Sequence, residues 1–313
     1  MAQIDMKQVK ELRDRTQAGL NDCRSALMEA EGDMEKAVEV ILKKGLAKSA
    51  KRAGMVAAEG VVAARVSQDQ LSAIIVEVNI QTDFAARNEE FGAFVEKVVQ
   101  AAEAAKDGAD LSAEPFPGGQ GTIEDNRAAL VGKLGENITV RRWQRVRVAS
   151  PGKVTSYIHM GGKIGVILGV KTQSAEVAQH AEVAKFLEET AMQVAAMNPP
   201  YLRASDIPDA DKKQQSEIFA GQLAEEGKIP QEKWPGVIEG KLSKWAKEVC
   251  LLDQPSVLEP KKTVDEIRKD VEKAAGGTVE VVGFVRFERG EGIAQPQGAD
   301  FAAEVAAMAS GNN

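Results

Sequence analysis

The chain repeats itself at a fixed offset of 92 residues, and that period constrains its fold more than any other feature. Val62 corresponds to Val154; Ile74, Val76 and Val78 to Val166, Leu168 and Val170; Phe94 and Val95 to Phe186 and Leu187. In each unit two β-prone runs precede an apolar helical stripe. In the first unit that stripe is Phe91, Phe94, Val95, Val98, Val99 and Ala102, which share one face of a helix. A third strand follows, Ile138–Val148 in the first unit and Thr278–Phe287 in the second. Neither pattern buries its apolar face alone, so the expected class is α+β: two related subdomains, each a small antiparallel sheet packed on helices.

Within the first unit, Thr122 and Asp125 form a capping pair for a helix bearing Leu130, Val131 and Leu134, which Gly135 stops. Along the third strand Ile138, Val140, Val146 and Val148 alternate with Thr139, Arg141, Arg145 and Arg147. The arginines read as a solvated strand face.

The repeats are flanked and interrupted by helical segments. Residues 4–45 read as three short helices, with Val9 and Leu12 on the first and Cys23, Ala26 and Leu27 on the second. Ala37, Val38, Ile41 and Leu42 lie on the third. Asn21 or Asp22 caps the second, Asp33 caps the third, and Gly45 ends it. Residues 202–252 read as an antiparallel helical hairpin, with Ile218, Phe219 and Leu223 before a Gly227–Pro230 turn and Ile238, Leu242, Trp245 and Val249 after it. Phe301, Val305 and Met308 form one stripe of a terminal helix. The expected parts are therefore 1–46, a linker 47–58 containing Lys48, Lys51 and Arg52, subdomains 59–150 and 151–290, the hairpin inside the second, and a C-terminal helical module 291–313.

Composition removes several function classes. With 40 Lys+Arg against 47 Asp+Glu the chain carries a net −7, where a general nucleic-acid binder needs a basic excess to neutralise phosphates. Two distant cysteines, Cys23 and Cys250, make no disulfide framework and fit a reducing compartment. With only two histidines, His159 and His180, a structural zinc site is not expected. The start, MAQIDMKQVKELRDR, has no apolar core of a signal peptide, and no run approaches the length of a membrane span. The expected setting is the cytoplasm, with no membrane and no direct nucleic-acid partner, and no cofactor.

No catalytic constellation is visible. Gly161-Gly162-Lys163 leads into a strand, whereas phosphate cradles lead into helices. An enzyme using His159 as acid or base lacks a partnered nucleophile by motif. An adaptor using residues 4–45 and the basics at Lys48–Arg52 and Arg141–Arg147 is opposed, for RNA, by the net charge. What stands out is a difference between the repeats. The first reads Val78-Asn79-Ile80-Gln81-Thr82-Asp83-Phe84-Ala85-Ala86-Arg87; the second reads Val170-Lys171-Thr172-Gln173-Ser174-Ala175-Glu176, and Phe84 has no apolar counterpart. A Phe after Thr-Asp at a strand-to-helix turn is either a core residue behind a cap or an exposed wedge preset by capping hydrogen bonds.

These residues carry a resemblance. Arg15-Thr16-Gln17-Ala18-Gly19 through Asp22-Cys23-Arg24-Ser25-Ala26-Leu27, Glu77-Val78-Asn79 through Gln81-Thr82-Asp83-Phe84, Lys133-Leu134-Gly135-Glu136-Asn137 and Asp300-Phe301-Ala302-Ala303-Glu304-Val305 resemble, in order, motifs of the elongation factor Ts family. Its members are guanine-nucleotide exchange factors of the translation GTPase elongation factor Tu. The resemblance implies an N-terminal ubiquitin-associated-like (UBA-like) three-helix module, a two-subdomain core, a protruding coiled-coil hairpin and a C-terminal helix. It implies that Thr82, Asp83, Phe84 and Ala85 dislodge Mg²⁺ from the GTPase, with Phe84 as the wedge. It further implies that Arg13, Leu20, Arg24, Leu134, Gly135, His159, Phe301 and Val305 contact the partner, in its GDP-bound and nucleotide-free forms, and it allows a higher assembly with the GTPase. Such a factor acts by protein–protein contact rather than as an enzyme. Four positions depart from the family pattern: Gln17 for Gly, Ala85 for Val, and Arg24-Ser25 for Lys-Lys.

Overall fold

The 92-residue offset reappears as the register of two sheets. The computed structural model describes residues 4–16 and 18–294, without the side chains of Leu46 and Lys48. Gln17 and the C-terminal stripe of Phe301, Val305 and Met308 lie outside the described residues. The chain runs α1 (Met6–Thr16), α2 (Leu20–Glu29), α3 (Met34–Arg52), β1 (Glu59–Val66), β2 (Ser72–Ile80), α4 (Asp83–Ala86), α5 (Glu89–Ala104), α6 (Ile123–Leu134) and β3 (Ile138–Arg147). It continues with β4 (Gly152–His159), β5 (Ile164–Thr172), α7 (Ala175–Ala178), α8 (Ala181–Met197), α9 (Asp209–Glu226), α10 (Trp234–Val249), α11 (Val264–Ala275) and β6 (Val279–Glu288). This is an α+β chain with two three-stranded antiparallel sheets, ordered β1-β2-β3 and β4-β5-β6.

Val61 faces Val78 in the first sheet and Lys153 faces Val170 in the second, each residue displaced by 92. The short helices start at Asp83 and Ala175 and the long ones at Glu89 and Ala181, at the same displacement. Beyond the hairpin the displacement becomes 141, from Ile123 to Val264. The capping boxes of Thr122 with Asp125 and Thr263 with Glu266 are counterparts, and so are the left-handed end caps Gly135 and Gly276. The inserted hairpin moves α11 out of phase with the 92-residue period, which hides it from a fixed-offset comparison.

The two helix–sheet cores are equivalent. In the first, Ile74, Val76, Val78 and Ile80 of β2 bury against Phe91, Phe94, Val98 and Val131. In the second, Val166, Leu168 and Val170 bury against Phe186, Leu187, Val194 and Val271. Each such side chain contributes ~1.5–3 kcal/mol on leaving water. The opposite sheet faces meet back to back, Val62, Ile75, Val146 and Val148 against Val154, Ile167 and Phe287. Glycines of β5 allow that approach. A Cβ on Gly165 would sit 2.5 Å from Val62 Cγ1, and one on Gly169 2.6 Å from Val148 Cγ1.

Both sheets carry a bulge at equivalent places, between Glu77 and Val78 and between Gly169 and Val170. The extra residue reverses which face a side chain takes. Ile138 and Val140 therefore face the helices while Val146 and Val148 face the second sheet. This corrects the expectation of one solvated arginine face on β3. Arg147 is exposed, but the Arg145 side chain is 4% exposed and donates to Asp107 Oδ1 at 2.9 Å, and Arg141 and Arg142 turn onto buried Glu77.

Two helix boundaries also differ from expectation. α2 starts behind Gly19, whose carbonyl accepts from Cys23 N–H at 2.9 Å, so Asn21 and Asp22 lie inside its first turn rather than capping it. Gly45 does not end α3, which continues to Arg52. The glycine serves packing instead: a Cβ there would stand 3.3 Å from Ala128 O and Ala129 Cα of α6. Asp33 does cap α3, accepting from the N–H groups of Glu35 and Lys36 at 3.0 and 3.1 Å. α9 and α10 form the expected hairpin, packed on each other, with Leu223 the buried side chain of the pair. No described helix is long and apolar enough to cross a membrane.

Candidate functional site

The Thr-Asp-Phe segment occupies one helical turn between β2 and α5. One turn cannot hold itself, since nucleation fixes several residues for one hydrogen bond, so its neighbours must hold it. Thr82 is extended, and its Oγ1 accepts from Ala85 N–H at 3.2 Å. Asn88 then caps α5 by accepting from Glu90 N–H at 2.8 Å, which starts the next helix directly behind the turn. Ala85 and Ala86 pack against the first core. Asp83 pairs with Arg87 at 3.1 Å, an exposed pair worth ~0–1 kcal/mol. The remaining side chain, Phe84, is 82% exposed, the most exposed of the large apolar side chains described. Of the two readings left open by its spacing, the structure selects the exposed one.

A second segment grips the first. The left-handed Gly135 ends α6 and directs the chain back toward β2. Glu136 Oε2 accepts from Thr82 N–H at 3.0 Å and Oε1 from the Thr82 hydroxyl at 2.7 Å. Gln81 Oε1 accepts from Asn137 N–H at 2.6 Å, and Asn137 Nδ2 donates to Met55 O at 2.8 Å. These bonds bring Thr82, Asp83, Phe84 and Ala85 together with Leu134 and Gly135. Leu134 is itself half buried in the first core. Met55, which joins the junction through its backbone carbonyl, and the next residue, Val56, have exposed apolar side chains. Nothing in the sequence marks these two as site residues, and Glu136 is visible there only as part of a motif.

The other candidates lie further around the molecule. The start of α2, with exposed Leu20, lies against the last turns of α6 across a crevice lined by Gly19, Asp22, Gly132 and Lys133. Arg13 on α1 and Arg24 on α2 are exposed. His159 is exposed at the end of β4, where its Nδ1 lies 2.9 Å from the Tyr157 hydroxyl, a partner that no motif reveals. Its turn rests on β1, with Val62 N–H donating to Gly162 O at 2.8 Å. α4 packs on the same strand.

A buried carboxylate anchors the sheet behind this surface. Glu77 is fully buried and accepts from Arg141 at 2.9 Å, Arg142 at 2.6 Å, Asn79 at 3.0 Å and Gly290 N–H at 2.7 Å. Burial pushes its pKa up, but the hydrogen bonds from Gly290, Asn79, Arg141 and Arg142 outweigh it and hold the carboxyl below its ordinary value. Among the described residues Glu77, on the central strand β2, is the carboxylate that is buried. Among the described residues no cluster of His, Cys, Asp and Glu is arranged to hold a metal ion.

Comparison with known proteins sets this geometry in context. The family model described as elongation factor TS matches residues 81–291. A curated protein named elongation factor Ts from a Nitratiruptor species is 46% identical over 307 residues, 97% of this chain and 99% of that one. One of the same name from Clostridium perfringens is 44% identical over 97% of this chain and 99% of its own length. Another from Symbiobacterium thermophilum is 43% identical over 97% and 98%.

Proposed function

Since the chain belongs to the elongation factor Ts family, we propose that it is the nucleotide exchange factor for elongation factor Tu in translation elongation, and that the Thr82–Ala85 turn is its working part. In this reading the factor acts in the cytoplasm on the GDP-bound GTPase. It stabilises the nucleotide-free form and disturbs the Mg²⁺ site and switch region of its partner. Arg13, Leu20 and Arg24 of a UBA-like N-terminal module, with Leu134, Gly135, His159 and the segment holding Phe301 and Val305, supply the wider grip.

The observation that carries the reading is Phe84, 82% exposed on a turn tied down at both ends. An aromatic side chain held in water by a braced turn loses little conformational entropy when it enters a partner. A nucleotide bound at nanomolar affinity is held by ~12 kcal/mol, so the factor cannot displace it outright. It binds a form of the GTPase that holds nucleotide poorly, and by linkage nucleotide and factor weaken each other equally. A thousandfold faster release requires the barrier to fall by ~4 kcal/mol. Burying one Phe supplies ~1.5–3 kcal/mol of that; the other contacts supply the rest. Mg²⁺ in the GTPase neutralises phosphate charge, so disturbing its ligands loosens the nucleotide without the factor touching much of it.

The test is release of a fluorescent GDP from elongation factor Tu at fixed Mg²⁺, with and without this chain. Acceleration by orders of magnitude is expected. Binding without acceleration overturns the exchange step, and absence of binding overturns the partner.

A further inference from the structure

We infer that Glu136 is a positioning residue for exchange: by clamping the Thr82 cap it holds Phe84 in one presented pose. The inference rests on the exchange reading of the Thr82–Ala85 turn. Both Glu136 oxygens are committed to one residue, Oε2 to the Thr82 N–H at 3.0 Å and Oε1 to its hydroxyl at 2.7 Å. Because that hydroxyl gives its proton to Glu136, its lone pairs are left to accept from Ala85 N–H at 3.2 Å. One carboxylate thus fixes the position of the cap and the rotor that makes the cap work.

The second repeat is an internal control. It builds the same turn, with Ser174 Oγ accepting from Val177 N–H at 3.3 Å. It keeps the same brace, since Gln173 Oε1 accepts from Thr278 N–H at 3.3 Å as Gln81 Oε1 does from Asn137. The residue after the left-handed end cap is Gly277 there, in the place of Glu136, and the carboxylate that bonds the Ser174 cap is instead Glu176, from within the turn itself. The turn is anchored by Val177 instead, buried in the second core and so close to Gly277 that a Cβ there would lie 2.7 Å from Val177 Cγ2. In the first repeat Ala85 takes the place of Val177 and is only half buried, while Phe84 takes the place of Glu176. The fold therefore makes this turn without a carboxylate from the segment after the end cap where a larger apolar residue anchors it and the turn's own Glu176 meets the cap. The clamp occurs where the anchor is small and an aromatic side chain faces water.

The experiment measures steady-state GDP release from elongation factor Tu with the full chain and the variants Glu136→Ala, Glu136→Gln, Phe84→Ala and the Phe84→Ala/Glu136→Ala double. Glu136→Ala is expected to lower kcat about tenfold or more, from loss of two charge-assisted bonds, with KM within about twofold. Glu136→Gln, which keeps one acceptor, recovers part of the loss. The double variant is no slower than Phe84→Ala alone, because Glu136 acts through Phe84. Thermal unfolding of Glu136→Ala stays within a few degrees of the parent. An unchanged kcat in Glu136→Ala, with Phe84→Ala impaired, overturns the inference and leaves the exchange reading standing. Losses that multiply in the double variant, or that track a fall in melting temperature, overturn it in favour of a purely structural role. Full activity of Phe84→Ala overturns the exchange reading of the turn itself.

Discussion

Gly290 donates its N–H to the buried Glu77 carboxylate at 2.7 Å, closing 213 residues of chain into one junction. Arg141 and Arg142 grip the same carboxylate, and Arg142 also donates to Glu288 O at 3.1 Å and Glu291 Oε2 at 3.3 Å. Gly290 is in the left-handed region, and a Cβ there would come within 2.5 Å of Ala58 O. The point where the chain leaves β6 is thereby pinned to the first sheet, on the strand that ends beside the Thr82 turn.

Removing that charge is expected to cost stability and acid sensitivity together. Glu77→Gln leaves two arginines with a weaker acceptor and is expected to destabilise by ~2–4 kcal/mol, read from urea unfolding. In the fold the carboxyl lies below its ordinary value of 4.5, so its contribution is complete above about that pH and is lost as pH falls through the lower folded value. The parent's melting temperature should drop through that acid window, and Glu77→Gln should drop less steeply. Identical slopes would contradict the assignment.

Phe84→Ala is expected to leave the melting temperature unchanged, since the side chain is 82% exposed in the free protein. Exchange on elongation factor Tu should slow by about 10- to 100-fold, the rate equivalent of one buried Phe. A large loss of stability would mean that Phe84 is packed in solution.

Gly45→Val tests why a glycine interrupts nothing. Valine adds atoms where a Cβ already meets α6 backbone at 3.3 Å. The expected loss is ~1–3 kcal/mol, despite valine's better helix propensity than glycine. Circular dichroism should show the helix content retained while the melting temperature falls.

Gly169→Val addresses the seam between the sheets. Its Cβ would lie 2.6 Å from Val148 Cγ1 and 3.0 Å from Val146 Cγ1, both on the facing sheet. Overpacking there is expected to destabilise by ~1–3 kcal/mol or more, because the side chains it meets, Val148, Val146 and Val154, are β-branched and stiff and cannot swing aside. Urea unfolding measures it.

The cysteines should react only after unfolding. Burial, then the nearby charges of Asp253 and Asp206, push the Cys250 thiol up to about 11, and burial raises Cys23 as well. At pH 8 a thiol-specific chromogenic reagent should label neither in the native protein and both in denaturant. Rapid native labelling of either would show that its core opens.

Legibility in the sequence follows locality. The α5 stripe, the Thr122–Asp125 box, the Asp33 cap and the Gly135 stop depend on residues within a turn or two of each other, and each is present in the structure. The arginines of β3 mislead because alternation assumes an unbroken pleat, and the bulge at Glu77/Val78 reverses the faces. Gly45 misleads because its partner is α6, far along the chain. The Thr-Asp-Phe turn is conspicuous because its counterpart 92 residues on lacks the aromatic. Whether Phe84 faces core or water is not readable from that comparison.

The sequence by itself determined the repeat, the helices and strands within it and their caps, because periodicity and capping act between near neighbours whose spacing is written in the chain. Tertiary structure decided what those elements expose. Glu136 meets Thr82 across 54 residues and Glu77 meets Gly290 across 213. Such contacts depend on where the closing of two sheets and their cores brings distant groups, and the sum of many small packing terms, not any local rule, places a carboxylate within hydrogen-bond reach of a cap.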